Sequence, residues 1–249
     1  MSLLLAMQYR ADFIIESLIS LFFTATALVP LFIIFGDRPS VAGWSFGEAL
    51  IVTGFFTLLG GVLEGAINPS LAIVVDHIRK GTLDLVLLKP VDAQFLMSTQ
   101  RFLPWRATAL PVAVAIFVYA FGELGTAPSI GQIAVALTLL TSAVLVLYSL
   151  WILVVSAAFY VVRVDNLTVL FASIFDAARW PSSVFRGALS VVFTFVIPLA
   201  LMTTYPAEAL LGRIDPLRVV VALAGSLAFA AVARVVWVRS LARYTSAGG

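Results

Sequence analysis

The chain has 249 residues, of which 62% are hydrophobic and only 11% are charged, and its mean hydropathy is +1.10. A soluble domain is nearer half apolar and a quarter charged, so this composition indicates a protein with lipid as its solvent. The lack of cysteine excludes disulfides and iron–sulfur clusters, and the single histidine argues against a histidine-based metal site. With a net charge of +2 and no Lys/Arg-rich tract, we expect no nucleic-acid partner.

The apolar stretches predict an all-α integral membrane protein with six transmembrane helices in one domain, residues 1–249. Residues 2–11 are too few to span and are expected to form an interfacial helix. The predicted spans are Phe13–Phe35, Glu48–Ile67, Ala107–Phe121, Ile130–Val162, Val184–Thr203 and Leu217–Val238. The first would rise about 34 Å as a helix, enough for a hydrocarbon layer of about 30 Å.

Prolines and short stretches modify this pattern. Asn68-Pro69 is expected to break or kink the chain after the second span, and Pro198 to kink the fifth. The stretch Leu167–Phe175 is apolar but short, and three assignments stay open: an interfacial helix, a re-entrant helix or part of the fifth span. Tyr205–Pro216 is predicted to lie outside the membrane and to contain a short amphipathic turn.

A polar stretch, Asp76–Arg106, lies between the second and third spans. Ser70–Lys80 is predicted to be a short cytoplasmic helix with one apolar face. The apolar residues at helical spacing are Leu71, Val74, Val75 and Ile78. Gly81 is placed to end this helix. An extended piece, Leu83–Leu88, and a helix capped by Asp92 are predicted to follow.

The basic residues predict the orientation in the membrane. Twelve of the 15 Lys and Arg residues fall on one side of the predicted spans, and Arg38, Arg213 and Arg218 fall on the other. The twelve are Arg10, Arg79, Lys80, Lys89, Arg101, Arg106, Arg163, Arg179, Arg186, Arg234, Arg239 and Arg243. By the positive-inside rule the twelve are cytoplasmic, and both termini with them.

Motifs for catalysis are scarce. A P-loop needs a Gly-Lys pair, and none occurs in the chain, so we expect no ATP hydrolysis by that route. His77 has no second histidine with which to hold a metal ion. We therefore predict no catalytic residues and no metal ligands.

Glu64 is the one acidic residue well inside a predicted span. A charge at mid-membrane costs about 2.5–3.5 kcal/mol on insertion scales, so such residues usually face protein or water. Glu64 is therefore either a pore-lining or gating carboxylate or an acid hydrogen-bonded to a neighbouring helix. Gly61 and Gly65 flank it at a spacing that permits close helix packing, within the chain or at a subunit contact.

The run Ile78-Arg-Lys-Gly81-Thr-Leu-Asp84, with Leu88-Lys-Pro90 and Gln94-Phe95 after it, resembles an I-x-x-G-x-L-D-x-x-L-x-[KR]-P signature. That signature belongs to the type-2 permease subunits of ATP-binding-cassette (ABC) exporters, and in particular to small six-span permeases encoded in pairs beside an ATPase. Further along, the chain resembles that family's proline-rich fifth span and outer loop. The residues concerned are Pro181, Pro198, Tyr205-Pro206-Ala207 and Leu211-Gly212.

The resemblance implies a permease that moves a hydrophobic or amphipathic substrate, such as a lipid, drug or natural product, across a bacterial inner membrane. ATP and Mg would be held by a separate cytoplasmic ATPase, expected in two copies, and this chain would hold no cofactor. A second permease subunit, related or identical, and membrane lipid complete the expected partners. The helix Ser70–Lys80 would be the coupling helix that seats in the ATPase.

On this basis, the candidate coupling residues are Asp76, His77, Arg79, Lys80, Gly81, Asp84, Lys89 and Pro90. The candidate pathway or interface residues are Gly61, Glu64, Gly65, Pro198, Tyr205 and Pro206. Two other functions stay open: an ATP-independent secondary transporter or channel, and a membrane assembly subunit that transports nothing. The basic loop also has a simpler interpretation, in which it anchors the spans to anionic lipid.

Overall fold

The computed structural model describes residues 10–36, 38–160, 173, 175–187, 189, 193 and 198–244, and it is 77% helical. Nearly all of residues 2–11 and most of the Leu167–Phe175 stretch lie outside these ranges. Within them, four helical stretches are long and apolar enough to cross a membrane: Phe46–Lys80, Pro104–Leu124, Ile130–Ala157 and Pro216–Leu241. These four correspond to the second, third, fourth and sixth predicted spans.

The α-helices of the described residues are α1 (Arg10–Phe35), α2 (Phe46–Val62), α3 (Asn68–Lys80), α4 (Asp84–Leu87), α5 (Ala93–Ser98), α6 (Ala109–Leu124), α7 (Ile130–Ala157), α8 (Tyr205–Leu210) and α9 (Pro216–Leu241). Two π-helical turns, Leu63–Ile67 and Ala200–Thr204, and two 3₁₀ turns, Pro104–Thr108 and Ser182–Val184, lie between them. Helix α1 covers the first predicted span.

Two long helix pairs form the core of the bundle: α2 packs along α6, and α7 packs along α9. Glycine makes the first pair close. A Cβ on Gly54 would stand 2.4 Å from the ring of Phe117, and one on Gly61 would stand 2.5 Å from the Cβ of Ala109. In lipid, helices associate through such van der Waals packing and not through the hydrophobic effect. Gly61 therefore packs against a helix of its own chain.

We name the two ends of the bundle the Trp44 end and the Lys80 end. At the Trp44 end, the Ser45 hydroxyl accepts the Glu48 N–H at 3.4 Å, and the Glu48 carboxylate accepts the Ser45 N–H at 2.9 Å, which caps α2. The other Glu48 oxygen binds the guanidinium of Arg213, from the loop before α9. This largely buried carboxylate therefore joins the start of α2 to the start of α9.

The fifth predicted span, Val184–Thr203, is wrong, because its two ends lie side by side. The N–H of Ser182 donates to the Thr204 hydroxyl at 3.0 Å, and the Thr203 hydroxyl donates to the Ala178 carbonyl at 2.7 Å. A single crossing would separate the ends by about 30 Å. An apolar run predicts burial without saying what buries it. Here the π-helical turn before α8, and α8 itself, are buried against α7.

Residues 176–187 belong to the Trp44 end. The Ser183 hydroxyl donates to the Ala42 carbonyl at 3.1 Å, whereas Tyr160 lies at the Lys80 end, with its hydroxyl 3.3 Å from that of Ser240. Tyr160 and Ser183 therefore lie at opposite ends of the bundle. Arg179 and Arg186 move to the Trp44 side, so among the described residues nine basic residues lie toward the Lys80 end and five toward the Trp44 end, which keeps the predicted charge asymmetry.

Gly54→Ala is expected to destabilise the bundle by about 1–3 kcal/mol, because the new methyl group would overlap the ring of Phe117, which also packs on Phe55. Denaturant unfolding in detergent would measure the difference. Gly60→Ala is the matched control, since a Cβ there meets nothing within 4 Å and helix propensity favours alanine. Equal effects of the two variants would contradict the close approach of α2 and α6.

Candidate functional site

The second span and the predicted coupling helix form one continuous helix, Phe46–Lys80, of 35 residues. Of the two expectations for Asn68-Pro69, a break or a kink, the break is therefore wrong. The backbone stays helical through Ile67 and Asn68, and the π-helical turn Leu63–Ile67 lies directly before the Asn68-Pro69 pair. At 1.5 Å per residue the helix is about 52 Å long, so it extends well beyond a hydrocarbon layer of about 30 Å.

A hydrogen bond from another segment makes this continuity possible. Pro69 has no N–H to donate to the carbonyl of Gly65, four residues before it. The N–H of Leu103, from the segment that leads into α6, donates to that carbonyl at 2.8 Å. Gly65 lets this segment come close, because a Cβ there would stand 3.1 Å from the Cβ of Arg106. In apolar surroundings an unpaired carbonyl would cost several kcal/mol.

Ser70 binds the same segment. Its fully buried hydroxyl donates to the Arg101 carbonyl at 2.7 Å and accepts from the Arg101 N–H at 3.1 Å. Together with the Leu103 bond, these contacts join residues 101–103 to the middle of the long helix. The helix and the segment leading into α6 are thus held as one unit.

The long helix ends at Gly81, as predicted, with a φ of +64° that favours glycine. Just beyond it, the Thr82 hydroxyl lies 2.7 Å from His77 Nδ1, and the Thr82 N–H donates to the His77 carbonyl at 3.0 Å. Lys80 pairs with Asp76 at 2.7 Å, and both side chains are more than half exposed. Such a pair contributes little stability, so Lys80 and Asp76 can separate at little cost.

After the helix end, two buried side chains, Leu83 and Val86, hold the chain against the bundle. The extended piece predicted for Leu83–Leu88 is wrong, because Asp84–Leu87 forms the single turn of α4. The reason is visible in the burial pattern: Leu83 and Val86 are three residues apart, which is helical spacing. Asp84 lies in the first turn of α4, where the helix dipole favours a carboxylate.

Around α4 the chain exposes large apolar side chains beside basic ones. The apolar residues, each at least 38% exposed, are Leu85, Leu87, Leu88, Val91 and Phe95. Lys89 and Pro90 lie among them and are exposed, as are Arg79 and Lys80 at the adjoining helix end. A contiguous exposed apolar surface usually marks an interaction site. We call these five apolar residues, with Arg79, Lys80 and Lys89, the basic–apolar patch.

Behind this patch, Arg234 of α9 joins the loop to two long helices. Its guanidinium binds both carboxylate oxygens of Asp92 and donates to Gln94 Oε1 at 2.7 Å. Gln94 Nε2 donates to the Tyr148 hydroxyl of α7 at 2.9 Å, and the Ser98 hydroxyl lies 2.7 Å from the same oxygen. We call these five residues the Arg234 network.

Asp92 has two roles in this arrangement. Its carboxylate caps α5 by accepting the Phe95 N–H at 3.0 Å, as predicted. The hydrogen-bonded guanidinium of Arg234 holds the pKa of the Asp92 carboxyl below its ordinary value, and the Phe95 N–H acts in the same direction.

Sequence reasoning missed the Arg234 network because its long-range partners are 50 or more residues apart. The available signal was Arg234, a charge inside a predicted span.

Glu64 lies half-buried in the π-helical turn, and its carboxylate accepts from the Asn68 side chain at 3.4 and 3.5 Å. The partner therefore lies on the same long helix and not on a neighbouring one. Glu64 also lines an open cleft of about 390 Å³. The other lining residues are Asn68, Pro69, Ala72, Ile73, Asp76, Arg101 and Leu103.

The remaining candidate residues, Pro198, Tyr205 and Pro206, lie at the Trp44 end, far from the patch. The Pro198 carbonyl accepts the Leu201 N–H at 3.1 Å, just before the second π-helical turn. Tyr205 begins α8 and Pro206 is buried in it, where α8 packs on α7.

One short sequence pattern is typical of a hydrolase, but the structure gives its serine a helix-capping role. The run Gly43–Gly47, GWSFG, has the G-x-S-x-G spacing of a nucleophile elbow. Ser45, however, is the N-cap of α2, and its hydroxyl accepts the Glu48 N–H. The single histidine of the chain, His77, is 32 residues further along the same long helix, about 48 Å away. These residues therefore form no catalytic pair.

The Asp92–Arg234 pair is expected to show a coupling of about 0.5–1 kcal/mol in a double-mutant cycle of Asp92→Ala and Arg234→Ala, since both side chains are 45% exposed. Because the pKa of Asp92 is lowered, this coupling should persist above the ordinary carboxyl range near pH 4 and decline as the pH falls through the lowered value. Unfolding at several pH values would measure it. No coupling near neutral pH would contradict the network.

Comparison with known proteins identifies the family. The family model described as ABC-2 family transporter protein matches residues 21–248, almost the whole chain. No curated protein and no solved structure matches. The match includes all four long apolar helical stretches, the basic–apolar patch and the Arg234 network. The chain therefore belongs to the ABC-2 family of transporter membrane proteins, whose members are the membrane components of transport and are not themselves catalytic.

Proposed function

We propose that this chain is the membrane-spanning permease subunit of an ATP-binding-cassette exporter, driven by ATP that a separate cytoplasmic ATPase hydrolyses. The observation that carries the proposal is the projecting end of the long helix. A member of a transporter family has a continuous 35-residue helix whose end lies beside an exposed basic–apolar patch. A soluble motor subunit would find there both a lever and a surface to bind.

The arrangement around the patch suits the transmission of force. The patch adjoins the long helix at Gly81, and the helix is hydrogen-bonded to the segment leading into α6 through Ser70. The Arg234 network joins the same loop to α7 and α9. A displacement at the patch would therefore reach four of the long helices through direct contacts.

The same proposal assigns the orientation and the partners. The Lys80 end faces the cytoplasm of a bacterial inner membrane, in keeping with the excess of basic residues there. Two ATPase copies, which hold ATP and Mg, bind a pair of permease subunits, one of them this chain. The other permease is a related chain or a copy. Exposed apolar side chains on α9, such as Leu217, Val220 and Leu227, are available to lipid or to the second permease.

The alternative is a secondary transporter or channel that works without ATP. The observation in its favour is Glu64, an acidic side chain beside an open cleft at membrane depth. Purification of the detergent-solubilised chain from its host, with mass spectrometry of co-eluting proteins, separates the two. A P-loop ATPase in near-equal amount supports the exporter, and a stable chain that elutes alone supports the alternative.

Gly81→Val is expected to leave the complex assembled but to lower substrate-stimulated ATPase activity by at least fivefold. The φ of +64° strains a β-branched residue by about 1–3 kcal/mol, which would displace the helix end from its partner. Gly125→Val is the matched control, since Gly125 has a φ of +63° at the end of α6, at the Trp44 end. If both variants kept full stimulation, the coupling role of Gly81 would be wrong.

Leu88→Ser is expected to weaken binding of the purified ATPase to the chain about tenfold, since it removes an apolar side chain that a partner would bury. Leu88 is 81% exposed, so the variant should fold normally. Ile130→Ser is the control, because Ile130 is 87% exposed at the Trp44 end. An unchanged dissociation constant for Leu88→Ser would indicate that the patch faces lipid head groups and not an ATPase.

A further inference from the structure

The cleft beside Glu64 shares Asp76 and the Arg101 backbone with the proposed coupling unit, and it holds charges of both signs. It follows the face of the long helix that includes Glu64, Asn68 and Asp76, and Arg101 lines it from the segment leading into α6. At about 390 Å³ it is large enough for a small polar group but not for a whole lipid.

Two of its charges are open to a ligand. Asp76 is already paired with Lys80 at 2.7 Å. Within the described ranges, Glu64 accepts only from Asn68, at 3.4 and 3.5 Å, which is long for an N–H···O bond and leaves its oxygens open to a stronger donor. Among the residues that the structure describes, the exposed guanidinium of Arg101 has no hydrogen-bond or ion-pair partner.

Backbone hydrogen bonds fix the positions of the two residues that carry these charges. Ser70 holds both the N–H and the carbonyl of Arg101, and it comes six residues after Glu64 on the helix, about 9 Å along the axis. Glu64 and Arg101 therefore line one cleft from separate positions along the helix. Ile73 and Leu103 add apolar lining between the polar groups.

One negative and one positive residue in the same cleft favour some classes of ligand over others. A ligand with only an amine would be attracted by Glu64 and repelled by Arg101, and a ligand with only an anion would meet the reverse. A ligand that carries both charges satisfies both residues. Each contact would be a charge-assisted hydrogen bond, which is roughly twice as strong as a neutral one.

We propose that the cleft binds a zwitterionic head group, with its ammonium at Glu64 and its phosphate or carboxylate at Arg101. The proposal names the class of molecule that the exporter would move, and in that respect it rests on the proposed function. The head group of an amphiphile and a free water-soluble zwitterion share this chemistry.

Binding would be measured on the purified chain in an uncharged maltoside detergent, by titration followed with native mass spectrometry. Four probes separate the contributions of the anion, the cation and the acyl chain to binding. Lysophosphatidylethanolamine carries both charges and an acyl chain, and glycerophosphoethanolamine carries both charges and no chain. Lysophosphatidic acid carries only the anion, and dodecylamine carries only the cation. We expect lysophosphatidylethanolamine to bind at least tenfold more tightly than lysophosphatidic acid and dodecylamine. Binding of glycerophosphoethanolamine as well would indicate a free zwitterion, and binding of lysophosphatidylethanolamine alone an amphiphile.

Variants test whether the cleft is responsible. Glu64→Gln keeps an oxygen for Asn68 and should weaken lysophosphatidylethanolamine binding about tenfold, and Arg101→Gln should do the same. Glu123→Gln and Arg239→Gln remove one charge of each sign elsewhere and should leave binding unchanged. Equal binding of lysophosphatidylethanolamine, lysophosphatidic acid and dodecylamine, or full binding by both cleft variants, would overturn the proposal.

Head-group binding is measured on the purified chain without the ATPase, so its result does not depend on whether the coupling proposal is correct. Stimulation of ATPase activity in the assembled complex by lysophosphatidylethanolamine, lost in Glu64→Gln, would support the head group as part of the substrate. Tight binding without any stimulation would overturn the assignment of the head group as part of the substrate. The coupling role would still be tested separately by the Gly81 and Leu88 variants.

Discussion

The hydrogen bond from the Leu103 N–H to the Gly65 carbonyl is the contact on which the architecture depends. In lipid every backbone polar group needs a partner inside the protein, and Pro69 removes the donor that an α-helix would supply to Gly65. A bend at Pro69 would have exposed that carbonyl to water or to another helix. A donor from the segment leading into α6, together with the π-helical turn, instead keeps the helix running to Lys80.

This one contact connects the middle of the membrane helix to its projecting end. The helix could transmit little if it bent at Pro69, because a hinge there would absorb movement of the end that reaches Lys80. Ser70 strengthens the attachment, since its buried hydroxyl holds both polar groups of the Arg101 backbone. Loss of either partner would leave buried polar atoms unpaired, at about 1–3 kcal/mol each. The long helix and the segment leading into α6 are therefore attached to each other at the point where the proposed coupling needs a connection.

The sequence predicted those features that depend on contacts between residues close together in the chain. Gly81 and Asp92 were assigned correctly as a helix stop and a helix cap, because each acts on backbone groups within a few residues. The effect of Pro69 was not predictable, since the donor that replaces its missing N–H comes from Leu103, 34 residues away. The long helices were found from hydropathy alone. Val184–Thr203 was wrong because hydropathy does not separate burial by lipid from burial by protein.

The candidate site stays a prediction, and the sequence indicated only some of the features that the structure places there. The basic residues and the glycine at the end of the long helix indicated where a partner would bind, since charges and helix stops are visible in one sequence. The exposure of Leu85, Leu88 and Phe95 was not visible, because leucine and phenylalanine in a membrane protein are normally read as buried. Arg234 was counted among loop charges, although its position inside a predicted span indicated a buried or paired role.

The two ends of the bundle differ in how firmly ion pairs hold them. At the Lys80 end, both members of the Asp92–Arg234 pair are 45% exposed, so water can replace either partner and separation costs about 1 kcal/mol or less. At the Trp44 end, the Glu48 side chain is only 9% exposed, and separation from Arg213 would leave a buried carboxylate without its cation. Of the two ion pairs, the one nearer the basic–apolar patch is therefore the easier to separate by a force applied there. The Asp92–Arg234 pair would separate first, while the buried pair keeps the starts of α2 and α9 together.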